Sequence, residues 1–180
     1  MRNLKRELRQ LKKNGADYII ACMHMGGQYN REPNELTLKV TNKVLKYGAD
    51  VVIGHHEYVI HKCDVSDKTK IKTYSLGNFS GLAGALKEPY DRLAEYSIIF
   101  NLYLGKENNM VSVKKCTFSI TKSVANGQGK TKTVLLYDLI NNCVDELQYK
   151  QLLKNNLKVY NLFLNKNSEE INLEKEYDIC

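Results

Sequence analysis

Three of the four histidines in this sequence stand directly after short apolar runs and beside glycines. One is His24, in Met23-His24-Met25-Gly26-Gly27, and the others are the pair in Ile53-Gly54-His55-His56. Imidazole binds first-row divalent metals through a neutral ring nitrogen, and a neighbouring glycine lets backbone and ligand come close. A lone histidine at a strand end is better read as a cap for backbone groups. Two sets at equivalent ends of two similar segments favour a shared site instead. A third turn of the same kind, Tyr74-Ser75-Leu76-Gly77-Asn78-Phe79, follows another apolar run. There Asn78 either closes an Asx-type turn or orients a ligand beside the histidines. Glu57 follows His56 and has the chemistry of a metal ligand or general base, and equally that of a solvated loop charge.

The elements that must hold these residues are legible from a repeated phrase. Lys13-Asn14-Gly15-Ala16-Asp17-Tyr18-Ile19-Ile20 recurs as Lys46-Tyr47-Gly48-Ala49-Asp50-Val51-Val52-Ile53, each copy preceded by a helical pattern and followed by a histidine. Two helix-to-strand units follow from it. Leu4, Leu8 and Leu11 recur at helical spacing in the first unit. In the second, Leu36, Val40, Val44 and Tyr47 form an apolar stripe, Pro33 and Asn34 suit its start, and Gly48 suits the left-handed position past its end, which predicts a helix over 34–47. The strands after each helix are apolar on both faces, as in parallel sheets covered by helices, so the histidines should emerge at the carboxyl ends of neighbouring parallel strands. Asp17 and Asp50 precede those strands and take turn and capping roles. Beyond residue 57 the β-rich runs 58–63, 70–76, 95–104, 110–120 and 130–139, separated by turn residues, read as antiparallel strands. Val144, Leu147, Leu153, Leu157, Tyr160 and Leu164 then predict a tail helix with an acidic end that frays.

Composition narrows the classes. A chain of 180 residues that is 43% hydrophobic and 26% charged is globular, not disordered or a coiled coil. The apolar runs 18–23 and 51–53 are far too short to span a bilayer, and the basic amino end lacks the core of a signal peptide. Five cysteines, odd in number and never in a Cys-x-x-Cys pair, fit free thiols in a reducing compartment, so the chain as written is expected in the cytoplasm. The net charge of +7 comes from scattered lysines with few arginines, a solvated surface more than a nucleic-acid platform.

The stretch from Ala16 to Phe79 resembles the carboxyl-terminal half of the CapA family, bacterial capsule-synthesis and poly-gamma-glutamate-synthesis proteins with a calcineurin-like metallophosphoesterase fold. Three motifs carry the resemblance: Asp17 to Cys22 followed by His24-Met25-Gly26 and Gln28-Tyr29; Gly48 to Val59, where the family writes Gly-Ala-Asp-Val-Val-Ile-Gly-His-His-Pro-His-Val; and Tyr74 to Phe79. The implied fold is α/β of the α+β sandwich type, the carboxyl-terminal half of a four-layer metallophosphatase: two helix-strand units, then antiparallel strands and a tail helix. Residues 1–140 are expected to form the partial CapA-like domain and 141–180 a helical, polar tail. The resemblance implies His24 and His56 as ligands of a divalent metal (Mn, Zn or Fe), His55 beside them and Asn78 positioning the loop, with His55, Glu57 and Asn78 the candidates for catalysis. The sequence departs from the family at Tyr58, which replaces the second histidine of the closing motif, and lacks the family's preceding acidic and asparagine ligands, so the ligand set is incomplete. An exposed strand edge at 18–23 or its neighbour would pair with a complementary chain or a second copy. Two functions follow from the resemblance: a truncated CapA-like protein of cell-envelope polymer synthesis with a partial phosphoesterase-type site, or an inactive remnant or accessory subunit that binds a partner chain or an anionic polymer. Full-length members of the family work at the outer face of the membrane.

Overall fold

The structure is a computed structural model that describes residues 2–65, 69–81, 92–126 and 130–179. Leucines among cations give helix α1 (Arg2–Lys13) one narrow apolar stripe. Leu8 is buried and Leu4 packs beside it, while Leu11 stays exposed. Helix α2 (Glu35–Lys46) starts where expected, because the Asn34 side chain accepts the Thr37 amide hydrogen at 2.8 Å, and Gly48 beyond its end has φ +120°. Its inner face is Thr37, Thr41, Val44 and Leu45, and Leu36 is 70% exposed. Val40, Val44 and Tyr47 of the expected stripe pack on the core as predicted, and Leu36 alone turns away; Thr41 joins the inner face by satisfying its hydroxyl inside its own helix, donating to the Thr37 and Leu38 carbonyls.

Strands β1 (Ile20–His24) and β2 (Val51–His55) pair in parallel as the repeat predicts, with Ile20 opposite Val51 and His24 opposite His55. Short β3 (Cys63–Asp64) and β4 (Ile71–Thr73) complete a sheet of order β1-β2-β4-β3. Here the expectation of antiparallel runs after residue 57 needs correction: β4 lies parallel to β2, and 58–62 is mostly irregular chain. A central strand must be hydrogen-bonded on both sides, and β4 fills the free edge of β2 with Ile71 and Thr73 fully buried. Strand β1 has a partner on one side only, and Ile20 is 45% exposed, so the sheet keeps an open apolar edge among the described residues.

A second, antiparallel sheet follows as expected. Strand β5 (Tyr96–Glu107) turns through Asn108 and Asn109, both at positive φ, into β6 (Met110–Ala125), which pairs with β7 (Thr131–Leu135) and with the two-residue β8 (Tyr177–Asp178). From Leu136 onward the run expected to extend β7 is instead helix α3 (Leu136–Asn141), whose Leu136 and Ile140 are buried at helical spacing. Helix α4 (Glu146–Leu164) is capped by Asp145 and buries Leu152, Val159 and Phe163 against β6. Val144, just before it, and Leu147 depart from the expected stripe and are exposed, and the chain after it does not fray: Tyr177 is buried and accepts a hydrogen bond from Asn156 at 2.7 Å.

Two cores result. One face of the first sheet meets α1 and α2 through Leu8, Ile19, Val44, Ala49 and Val52. The other meets the second sheet and α4 through Val51, Ile60, Ile71, Ile98, Phe118 and Phe163. This mixed α/β layering fits a CapA-like domain. None of the described helices is long and apolar enough to cross a membrane.

Tyr96 is 1% exposed, and its hydroxyl accepts a hydrogen bond from Asn155 at 2.9 Å. Burial pushes this phenol up to about 12. A phenol held neutral in the fold stabilises it fully below pH ~10 and loses that contribution as pH rises toward 12. Tyr96→Phe should therefore cost about 1–3 kcal/mol near neutrality, by stranding the Asn155 amide. It should also flatten the stability loss between pH 10 and 12, both read from urea unfolding at a series of pH values.

Candidate functional site

The parallel register sets His24 beside His55 at one end of the sheet, and the next residue, His56, turns back over them. His24 Nε2 and His56 Nδ1 lie 2.8 Å apart and share one hydrogen bond, one nitrogen protonated and the other accepting. Their rings meet edge-on with centroids 4.5 Å apart. His56 reaches this position with φ +109°, a conformation non-glycine residues avoid.

The loop after β1 is fastened to the loop after β2. Met25 donates its amide hydrogen to the His55 carbonyl at 3.1 Å, and Tyr29 donates to the Glu57 carbonyl at 2.8 Å. The Tyr29 and Tyr58 rings stack at 5.5 Å. Beneath them Glu57 and His61 are fully buried, 3.6 Å apart, and His61 Nε2 donates to the Asn30 carbonyl at 2.7 Å. The Glu57 carboxyl finds no hydrogen-bond partner among the described residues; burial pushes it up to about 7, and the nearby Gly27 amide pulls the other way without reaching bonding geometry. Burial likewise pushes the His61 imidazole down, against the Asn30 carbonyl and the Glu32 charge. A protonated Glu57 beside a neutral His61 is the arrangement this environment favours.

Two glycines are required for this closure. Gly26 has φ +111°, and a Cβ there would fall 1.8 Å from Glu57 Oε1. At Gly54 a Cβ would fall 2.0 Å from the Tyr74 carbonyl oxygen, so β2 approaches the chain after β4 only because no side chain intervenes.

Above the histidines opens a cleft of about 430 Å³. His24, His55 and His56 form one side, Tyr58 and Asn78 the rim, and Ile98 to Phe100 of β5 the opposite apolar wall. The loop that carries Asn78 is bound to β5, where Ile98 donates its amide hydrogen to the Leu76 carbonyl at 2.8 Å. Burial and the neighbouring His24 charge push the His55 imidazole down, which keeps it a neutral acceptor.

The residues singled out from the sequence therefore separate into two groups. His24, His55, His56 and Asn78 converge on the cleft. Glu57 does not: it is neither solvated nor in the cleft, but lies under the Gly26 loop, and His61 lies with it. Asp50 takes its expected turn role, accepting the Ile19 amide hydrogen at 2.8 Å. Sequence reasoning missed the β5 wall and the Tyr29–Tyr58 stack. No local signal announces the wall, because β5 reaches the histidines only through tertiary packing.

A divalent ion fits this donor set in part. Two imidazole nitrogens bound to one tetrahedral zinc at roughly 2.0–2.1 Å stand about 3.3 Å apart, so the pair must open by about 0.5 Å to admit it. Among the described residues no cluster of three or more His, Cys, Asp or Glu side chains is arranged to hold a metal ion. Among the described residues, His24 and His56 are the pair whose nitrogens come close enough to share such an ion, without a cluster of three around them.

Residues 1–81 match the family model described as bacterial capsule synthesis protein PGA_cap. The chain is 31% identical over 86 residues to the PGA biosynthesis protein CapA of Bacillus subtilis (strain 168), covering 48% of this chain and 22% of that protein. It is 32% identical over 87 residues to the capsule biosynthesis protein CapA of Bacillus anthracis, covering 48% of this chain and 21% of that one. The matched segment thus spans about a fifth of the length of these curated relatives.

The strain at His56 is testable. His56→Gly removes the imidazole and the backbone cost together, whereas His56→Ala removes only the imidazole, so the glycine variant should be the more stable of the two by about 1 kcal/mol or more in denaturant unfolding.

Proposed function

We propose that the chain, whose residues 1–81 match the bacterial capsule synthesis family model PGA_cap, acts in the synthesis of a capsule or poly-gamma-glutamate polymer through a partial, metal-dependent phosphoesterase-type site on a calcineurin-like metallophosphatase fold. The observation that carries this reading is the 2.8 Å contact between His24 Nε2 and His56 Nδ1, two imidazoles delivered from the ends of adjacent parallel strands into one cleft. They are the metal ligands in this reading. A bound divalent ion, manganese, zinc or iron, supplies a Lewis acid and a water of lowered pKa. The chain's own groups prepare the cleft. Neutral His55 offers a proton acceptor, the Asn78 amide presents both a donor and an acceptor at the rim, and the β5 wall excludes water on the far side. Tyr58, where the family has a second histidine, is a poor ligand at neutral pH, and with two ligands among the described residues this chain by itself is not expected to turn over substrate.

A second reading is an accessory, non-catalytic subunit that pairs with another chain. The open edge of β1 favours it, since Ile20 and Cys22 stand exposed on a parallel strand with one neighbour. The five widely spaced cysteines, none in a Cys-x-x-Cys pair, support action in a reducing compartment under either reading.

Thermal unfolding with and without excess manganese or zinc separates the two. Under the first reading metal at about 100 times its dissociation constant stabilises the parent by about 2.7 kcal/mol, and a His24→Ala, His56→Ala double variant gains nothing. A parent indifferent to both metals overturns the metal site and leaves the accessory reading.

A further inference from the structure

Although 26% of the chain is charged, the lining of the histidine cleft holds no lysine, arginine, aspartate or glutamate among the described residues. Two other hollows of the surface are built differently. Lysines and arginines line the one along α1, and Glu32, Lys62 and Lys166 line the one at the end of α4. In the cleft the imidazoles and the Asn78 amide face a wall of apolar side chains from Leu76 and from Ile98 to Phe100. Three large side chains of the lining, Tyr58, Phe79 and Ile99, are between 37% and 53% exposed, so an apolar group seated on them would remove that surface from water.

These side chains stand on fixed backbone. Ile99 is paired with Ser119 of β6, and the Ile98 amide hydrogen is already donated to the Leu76 carbonyl. The Phe79 carbonyl accepts hydrogen bonds from the Ser123 and Thr133 hydroxyls, which ties the residue to β6 and β7. At about 430 Å³ the cleft has the size and the balance of an ordinary small-molecule site, mostly apolar with a few convergent polar groups. A ligand portion rich in hydroxyls would lose its hydration against Ile99 and Phe79 and gain no partner there, whereas an aryl or alkyl portion would gain by burial.

We infer that the cleft takes esters of apolar alcohols, with the acid group at the imidazoles and the alcohol portion lying on Ile99 and Phe79, which decide its specificity. The inference rests on the phosphoesterase-type reading for the acid group and goes beyond it in naming the alcohol. Sugar and polyol esters are the class this wall rejects, because it offers their hydroxyls no hydrogen bond to replace water.

The test is calorimetric titration of the whole chain, with manganese present, by phenylphosphonate, methylphosphonate and glucose 1-phosphate. The first two share one acid group and differ in the apolar portion, and the third has a polar portion about as bulky as the ring. Phenylphosphonate should bind about tenfold or more tighter than methylphosphonate, and glucose 1-phosphate no tighter than methylphosphonate. Ile99→Thr with Phe79→Ser should narrow the phenyl-to-methyl ratio to within about threefold while urea unfolding stays cooperative. Phe79→Ser alone, at a side chain already 53% exposed, should narrow it part of the way. Leu104→Thr, an equally exposed position of β5 outside the cleft, should leave the ratio within twofold of the parent's. The His24→Ala, His56→Ala variant should weaken all three probes together. If that variant binds them as the parent does, the metal site fails while a tenfold phenyl-to-methyl ratio still upholds the apolar selectivity. Equal binding of the phenyl and methyl probes by the parent, binding of neither, tighter binding of glucose 1-phosphate, or a ratio unmoved by the Ile99 and Phe79 substitutions overturns the inference.

Discussion

The parallel pairing of β1 with β2 is the constraint on which the site depends. Because His24 is held opposite His55 by the strand ladder, the two loops that leave the sheet must occupy the same small volume at its end. Everything unusual nearby follows from that crowding. Gly26 and Gly54 are places where a Cβ would overlap another part of the chain, and His56 adopts a left-handed backbone to bring its ring onto that of His24. Only such a crowded sheet end turns two histidines of distant sequence position into one facing pair.

Crowding also explains the buried acid. The loop residues 25–30 close over Glu57 and His61, fastened by the two backbone bonds that Met25 and Tyr29 donate to the loop after β2. A carboxyl without hydrogen-bond partners among the described residues is costly when charged, and burial answers by raising its pKa to about 7 beside an imidazole whose own pKa is lowered. Strain at His56 and an orphaned carboxyl are destabilising features packed into a few residues. The aromatic cluster of Phe118, Tyr160, Phe163 and Tyr177, distant in the second sheet and α4, supplies cohesion that tolerates them.

The molecule therefore separates its polar surfaces by chemistry. The cleft carries neutral or shared-proton imidazoles, an amide and an apolar wall, suited to one small group held at close range. The outer face of α1 carries permanent positive charge on Lys5, Arg6, Arg9, Lys12 and Lys13. The first sheet lies between them, with α1 and α2 on one face and the second sheet on the other.

Much of this was legible in the sequence. The repeated Gly-Ala-Asp phrase with alternating helix and strand periods determined two helix-strand units, their parallel pairing and the placement of His24, His55 and His56 at strand ends, because periodicity and caps act over a few residues and need no partner. The hairpin of β5 and β6 and the tail helix were legible for the same reason. What only the tertiary structure decided depends on residues far apart in the chain. Whether 71–73 runs parallel or antiparallel is settled by the free edge of β2; whether Leu36 or Thr37 faces the sheet is settled by how α2 lies on it; whether Glu57 is a solvated charge or a buried acid of raised pKa is settled by the loop that closes over it. Local propensity is silent on each of these, since the deciding free energy is the burial or desolvation of a group by a segment that the sequence does not place beside it.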